Sequence, residues 1–169
     1  TGGPSVGEQF SGLKLDHLLF IGSNRVAKKV AAQAAKNLVP TTLELGGKSP
    51  TIIGTNANMA LAAERILFSK TLNAGQICLS PDYIFVKKDE ERNLISELQK
   101  AYSKFFPEPN SHNQTSMVNK HHLKRMNSYL LDATKKGASV QSLGKNDDLN
   151  RNMLSTKVVT KVNDGMDVM

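Results

Sequence analysis

The sequence predicts an α/β fold in which short strands alternate with amphipathic helices. Two observations support this class. Brief apolar runs bounded by glycine or polar residues, such as DHLLFI at residues 16–21, are typical of buried strands. Longer stretches between such runs carry apolar residues at helical spacing. With 169 residues, of which 39% are hydrophobic, the chain is long enough to bury a sizeable core.

The first strand, residues 16–21, leads through a glycine turn into a helix. Ser23 and Asn24 can cap or donate at the start of this helix, where free amide groups can bind phosphate. Pro40 is expected to end the helix. The apolar residues that recur at every fourth position of this helix are Val26, Val30, Ala34 and Leu38.

A second strand is predicted over residues 41–45, after which Gly46 and Gly47 allow a chain reversal. This glycine pair is the predicted domain boundary. Another short strand, residues 49–53, follows it. Asn58 then caps a helix that runs to about Leu72.

The only cysteine, Cys78, follows that helix in a loop that begins NAGQ at residue 73, and a strand is predicted over residues 82–86. Strands are also predicted at Val140 and over residues 157–162, with a surface loop at 107–110 before them. Two amphipathic helices flank this loop, with apolar faces formed by Leu94, Leu98, Tyr102 and Phe105 and by Leu123, Met126, Leu130 and Ala133.

The charge and cysteine content limit the function classes. The net charge is +7, but the lysines are dispersed in pairs, so the surface is either simply solvated or carries an anion patch for a dinucleotide phosphate rather than for nucleic acid. One unpaired cysteine favours a reducing compartment, either cytoplasmic or the interior of an organelle. We find no secretory signal at the start and no apolar run near the roughly 20 residues of a membrane span.

Two side chains are candidates for catalysis. Glu44 lies in TTLELGGK (residues 41–48), an apolar stretch in which we expect partial desolvation to suit a general base that activates water. Cys78 lies in NAGQICLSPDY (residues 73–83), where Gly75 and Gln76 are expected to free the backbone around a nucleophilic thiol. The Cys78 amide can donate to an oxygen that develops negative charge.

Each candidate has a structural alternative. A lone cysteine is most often a small buried hydrophobic residue, and a lone glutamate is usually solvated or a helix cap. The flanking motifs favour the catalytic interpretation for both. No metal site is predicted, because the histidines have no metal-ligand spacing with the one cysteine; they are His17, His112, His121 and His122.

At these two motifs the chain resembles the aldehyde dehydrogenase superfamily, and the PDY after the cysteine is most similar to the class 3 and fatty aldehyde branch. The resemblance implies the end of a Rossmann-like NAD(P)-binding domain over residues 1–45, followed over 46–169 by most of a catalytic domain with a mostly parallel sheet. It implies Glu44 and Cys78 as catalytic residues and NAD or NADP as cofactor. The implied cofactor-binding residues are Gly22, Ser23, Leu45 and Gly46.

Two positions depart from the family pattern near the cofactor turn, because Ile21 replaces a threonine and Ala27 replaces a glycine. The resemblance covers nearly all of this chain but only a middle third of the family, so we expect the chain to be truncated at both ends and inactive alone.

The family implies aldehyde oxidation through a cysteine thiohemiacetal and thioester, and a homo-oligomer. It leaves open a membrane-anchoring tail in a full-length form. Two alternatives are an inactive remnant that serves as an interaction module, and ester or thioester hydrolysis without cofactor.

Overall fold

The computed structural model describes residues 2–107, 114–145 and 147–169. The chain divides into two compact units, residues 1–48 and 49–169. Unit 1 contains the helix Pro4–Ser11 (α1), the strand Leu18–Ile21 (β1), the helix Asn24–Ala35 (α2) and the strand Thr41–Glu44 (β2). The predicted α/β class is confirmed.

The two strands of unit 1 form a parallel pair in which Leu18 lies opposite Thr41 and Ile21 opposite Glu44. Among the described residues of unit 1, the core covers only one face of this pair. Leu19 and Ile21 point away from the core and are 58% and 70% exposed, so the predicted buried strand is buried on one side only. The core of unit 1 consists of Leu18, Val30, Ala34 and Val39.

The end of α2 differs from the prediction. The helix stops at Ala35, and Leu38 is 90% exposed with a left-handed φ of 56°. The Leu38 amide donates to Ala35 at 3.1 Å and the Val39 amide to Ala34 at 3.1 Å, which are the two bonds of a Schellman motif. Val39 therefore enters the core instead of Leu38, and Pro40 follows a helix that has already ended.

Unit 2 begins with two strand–helix repeats. They comprise the strand Ser49–Ile52 (β3), the helix Met59–Thr71 (α3), the strand Pro81–Phe85 (β4) and the helix Glu91–Phe105 (α4), with a short 3-10 turn at Lys88–Glu90 before α4. The strands pair in parallel. The Asn58 side chain accepts a hydrogen bond from the Leu61 amide at 3.1 Å, which confirms the predicted cap of α3.

The main core of unit 2 lies between α3 and α4. Leu67 is 1% exposed at its centre, and Leu94, Leu98 and Tyr102 are buried along the predicted face of α4, while Phe105 is partly buried. The remaining buried members of this cluster are Ala63, Ile66, Ala101 and Leu143.

The rest of unit 2 is formed by the helix Lys120–Lys135 (α5) and an antiparallel pair, Ser139–Ser142 (β5) with Lys157–Thr160 (β6). On α5, Leu123 and Ala133 are buried, whereas Met126 and Leu130 are partly buried. The predicted loop at 107–110, apart from Pro107, and His112 lie outside the described residues. Within the described ranges, every helix is too short or too polar to span a bilayer.

Candidate active site

Cys78 lies in a turn between the end of α3 and the start of β4. We call residues 77–80 the cysteine turn. Its side chain is exposed, and the Ser80 amide closes the turn by donating to the Ile77 carbonyl at 3.0 Å. The Ser49 hydroxyl donates to the Cys78 carbonyl at 3.4 Å. Because the thiol is exposed, the interpretation of Cys78 as a buried hydrophobic residue is wrong for this chain.

The Cys78 backbone amide is also available. In the part of the chain that the structure describes, this N–H group donates no hydrogen bond. An unpaired amide beside a thiol can stabilise an oxyanion that forms on a carbon attached to the sulfur. The turn therefore offers a nucleophile and one oxyanion donor on the same residue.

The backbone that leads into the turn is left-handed at three successive residues. Asn73, Ala74 and Gly75 have φ angles of 49°, 55° and 74° within the 3-10 turn Leu72–Gly75. Asparagine and glycine adopt this region readily, whereas alanine pays roughly 1 kcal/mol. A Cβ atom at Gly75 would also lie 3.2 Å from the Lys70 carbonyl oxygen, so the glycine is needed for space as well as for φ.

Gln76 was expected to leave the backbone around the thiol unconstrained. This expectation is wrong, because the Gln76 side chain makes three hydrogen bonds. Its Nε2 donates to the Asn73 carbonyl at 2.9 Å and to the Ser116 carbonyl at 3.2 Å. Its Oε1 accepts from the Val118 amide at 2.9 Å. Two of these three partners, Ser116 and Val118, could not be predicted from the sequence, because they lie 40 and 42 positions along the chain.

Glu44 ends β2 at the carboxyl edge of the parallel pair in unit 1. Its side chain is exposed, so the expected desolvation of this glutamate is wrong for this chain. The Glu44 carbonyl accepts a hydrogen bond from the Gly22 amide at 3.0 Å. This bond brings Gly22 and Ser23, after β1, beside Leu45 and Gly46, after β2, where ligands of open parallel sheets bind.

The start of α2 can accommodate an anion. Ser23 caps the helix by accepting from the Val26 amide at 3.3 Å, and among the described residues the amides of Asn24 and Arg25 donate to no acceptor. The first turn has no acidic residue. A cofactor pyrophosphate fits this chemistry. Ala27, which replaces the family glycine, is buried at 2% exposure. Its methyl group therefore does not lie at the exposed start of the helix.

Space also accounts for a glycine at the end of β1. A Cβ atom at Gly22 would lie 2.6 Å from Phe20 Cζ, so any side chain there would displace a ring that packs against the unit 1 core.

Within the described ranges, no group of three or more histidine, cysteine, aspartate or glutamate side chains is placed so that it could hold a metal ion.

The sequence profile of the aldehyde dehydrogenase family matches residues 1–169. The chain belongs to the aldehyde dehydrogenase family. It is 50% identical over 141 residues to a probable coniferyl aldehyde dehydrogenase of Caulobacter vibrioides, an overlap of 83% of this chain and 29% of that protein.

Solved aldehyde dehydrogenases share the structure of this chain. AldH of Staphylococcus aureus, solved in a substrate-bound state, has a TM-score of 0.89 and 34% identity over 99% of this chain and 36% of its own. Betaine aldehyde dehydrogenase of the same organism, solved with NAD+, has a TM-score of 0.85 and 27% identity over 99% of this chain and 35% of its own. This chain thus spans about a third of the length of these relatives. Membership favours an enzyme over an interaction module.

Proposed function

We propose that this chain supplies the nucleophile, the general base and part of the cofactor site of an enzyme that oxidises aldehydes to carboxylic acids with NAD(P)+. The observation that carries the proposal is the exposed Cys78 thiol on a turn that also presents an unpaired amide. Family membership and the exposed carboxylate at the end of β2 support it.

In the proposed reaction the Cys78 sulfur attacks the aldehyde carbon and forms a carbon–sulfur bond. The Cys78 amide donates to the resulting oxyanion. When bound, NAD(P)+ supplies the acceptor for the hydride whose loss leaves an acyl thioester. Glu44 then takes a proton from water, whose oxygen attacks the thioester carbon. The carbon–sulfur bond breaks, which releases the carboxylic acid and restores the thiolate.

The proposed cofactor residues are Gly22 and Ser23 at the start of α2 and Leu45 and Gly46 after β2. Two observations support these residues. The hydrogen bond from the Gly22 amide to the Glu44 carbonyl brings the two segments side by side, and the amides at the start of α2 are unpaired among the described residues. Because one relative is named for coniferyl aldehyde, we propose aromatic aldehydes as the first substrates to test, with long-chain aliphatic aldehydes as the comparison.

The test is pre-steady-state kinetics of the Glu44→Gln variant in the full-length protein. Only deacylation needs the base, so we expect a burst of about one equivalent of reduced cofactor per active site, followed by turnover at least ~100-fold slower than in the wild type. Glu64→Gln is the matched control, because this glutamate on α3 lies outside the proposed site and its side chain is 40% exposed, and it should leave turnover unchanged.

Cys78→Ser should lose both the burst and the turnover, since the serine hydroxyl is a far weaker nucleophile. Absence of the burst in Glu44→Gln would assign Glu44 to an earlier step or to folding. Full activity in Cys78→Ser would contradict the proposed function as a whole.

A further inference from the structure

We infer that Gln76 is a positioning residue that fixes the cysteine turn for catalysis by binding it to the segment Ser116–Val118. The inference rests on the proposed function of Cys78. In this proposal Gln76 does not contact the thiol or a reacting atom. It acts by fixing the backbone two residues before Cys78.

The side-chain amide of Gln76 is almost fully used. Both N–H groups of its Nε2 are directed to carbonyl oxygens, one on Asn73 and one on Ser116, and its oxygen accepts from the Val118 amide. A primary amide has two donors and two acceptor lone pairs, so three of four positions are filled. The side-chain amide donates to the carbonyl of residue 116 and accepts from the amide of residue 118. The backbone of a residue in a parallel β ladder binds the two neighbours of its partner in the same way.

The segment that receives Gln76 is itself anchored. The Met117 amide donates to the Asn152 carbonyl at 2.8 Å, and the neighbouring residue Met153 is 1% exposed. On its other side, Asn119 caps α5 by accepting from the His122 amide at 3.0 Å. Gln76 therefore connects the cysteine turn to a segment that is itself held by a hydrogen bond to Asn152 and by the start of α5.

The turn depends on this connection because its other contacts are few. Ile77, Cys78 and Leu79 are all exposed, and the left-handed backbone before them stores strain that the surroundings must hold. On the far side, Ser80 is 8% exposed and begins the approach to β4. Cys78 thus lies midway between Gln76 and Ser80, and without the Gln76 side chain the turn retains only its closing bond from the Ser80 amide and the long hydrogen bond from Ser49 to the Cys78 carbonyl, at 3.4 Å, among the hydrogen bonds described for residues 77–80.

The experiment measures the pre-steady-state burst of reduced cofactor in the full-length protein with aldehyde and NAD(P)+ in excess, where the amplitude reports the concentration of active sites and the rate constant reports formation of the thioester. A loss of folded protein lowers the amplitude of this reaction but not its rate constant. A misplaced nucleophile lowers the rate constant. The measurement therefore separates positioning from a purely structural role.

We expect Gln76→Ala to lower this rate constant about 10- to 100-fold, the effect of moving a reacting group by roughly 1 Å. The matched control is Gln99→Ala, because the Gln99 side chain also connects two distant segments of unit 2, donating to the Leu143 carbonyl, but lies outside the cysteine turn. It should leave the rate constant unchanged. Gln76→Glu keeps the acceptor for Val118 but turns a carboxylate oxygen toward the Asn73 and Ser116 carbonyls, so its rate constant should also fall below that of the wild type.

A wild-type rate constant with reduced amplitude in Gln76→Ala would overturn the inference. If Gln76→Ala fails to fold, Gln76→Glu decides, and a wild-type rate constant in that variant overturns the inference equally. Failure of the proposed function has a different result, since Cys78→Ser would then match the wild type in the same assay.

Discussion

Replacing Lys157 by methionine removes an ammonium group from a network at the β5–β6 hairpin. The Lys157 Nζ lies 2.6 Å from Asp147 Oδ2, 2.8 Å from Ser155 Oγ and 3.0 Å from Ser142 Oγ. Ser155 is 1% exposed, and its amide donates to Asp147 Oδ1 at 2.8 Å. Methionine keeps an unbranched apolar stem but removes every donor, so Asp147 loses its counter-ion.

The magnitude follows from the exposure of the pair. The Lys157 side chain is 13% exposed and that of Asp147 is 44% exposed. Hydrogen bonds to charged groups contribute about 1.5–3 kcal/mol, and exposed ion pairs about 0–1 kcal/mol. For this half-buried pair we expect a loss of about 2 kcal/mol in the free energy of unfolding. The matched control is Lys104→Met, whose partner is Glu64 at 2.7 Å with exposures of 65% and 40%, and which should cost about 0.5 kcal/mol.

The loss should also depend on pH. Burial by itself raises the pKa of Asp147, but hydrogen bonds from Lys157 and Ser155 outweigh it and hold that pKa below its usual value. A carboxyl group with a lowered folded pKa contributes stability above its unfolded pKa of about 3.9, and this contribution is lost as pH falls through the folded pKa. The difference between wild type and Lys157→Met should therefore be large at neutral pH and shrink below about pH 3.

The assay is urea unfolding of wild type and both variants, followed by far-ultraviolet circular dichroism at neutral and acidic pH. A neutral-pH loss no larger than that of Lys104→Met would refute the assignment of a stabilising network to this hairpin. A loss that does not shrink at acidic pH would refute the role of the Asp147 carboxylate.

Two substitutions test the core and the cap of α3 by urea unfolding. Leu67→Ala should cost about 3 kcal/mol because the side chain is 1% exposed in the α3–α4 cluster, whereas Leu61→Ala, 45% exposed on the same helix, should cost at most about 1 kcal/mol. Equal losses would contradict the placement of the core. Asn58→Ala should cost about 1 kcal/mol because the Leu61 amide loses its acceptor, and Asn58→Ser should recover most of that loss. An unchanged midpoint in Asn58→Ala would show that the cap contributes nothing.

The features that depend on neighbouring residues were predictable from the sequence. The cap of α3 at Asn58 needs only the side chain and an amide three positions later, and the apolar face of α4 follows from helical periodicity. The cysteine motif likewise placed Cys78 on a connection between a helix and a strand. Local hydrogen bonds and periodic burial leave these marks because their partners lie within one or two turns of chain.

The tertiary structure decided which of the predicted residues are covered and what holds them. Leu38 fits the helical pattern yet is exposed, because a Schellman motif turns Val39 into the core, and Glu44 is exposed although its neighbours in sequence are apolar. The partners of Gln76, at Ser116 and Val118, leave no local mark in the sequence. Burial and hydrogen bonds between residues some 40 positions apart are set by how the helices and strands pack, and that packing is a property of the folded chain as a whole.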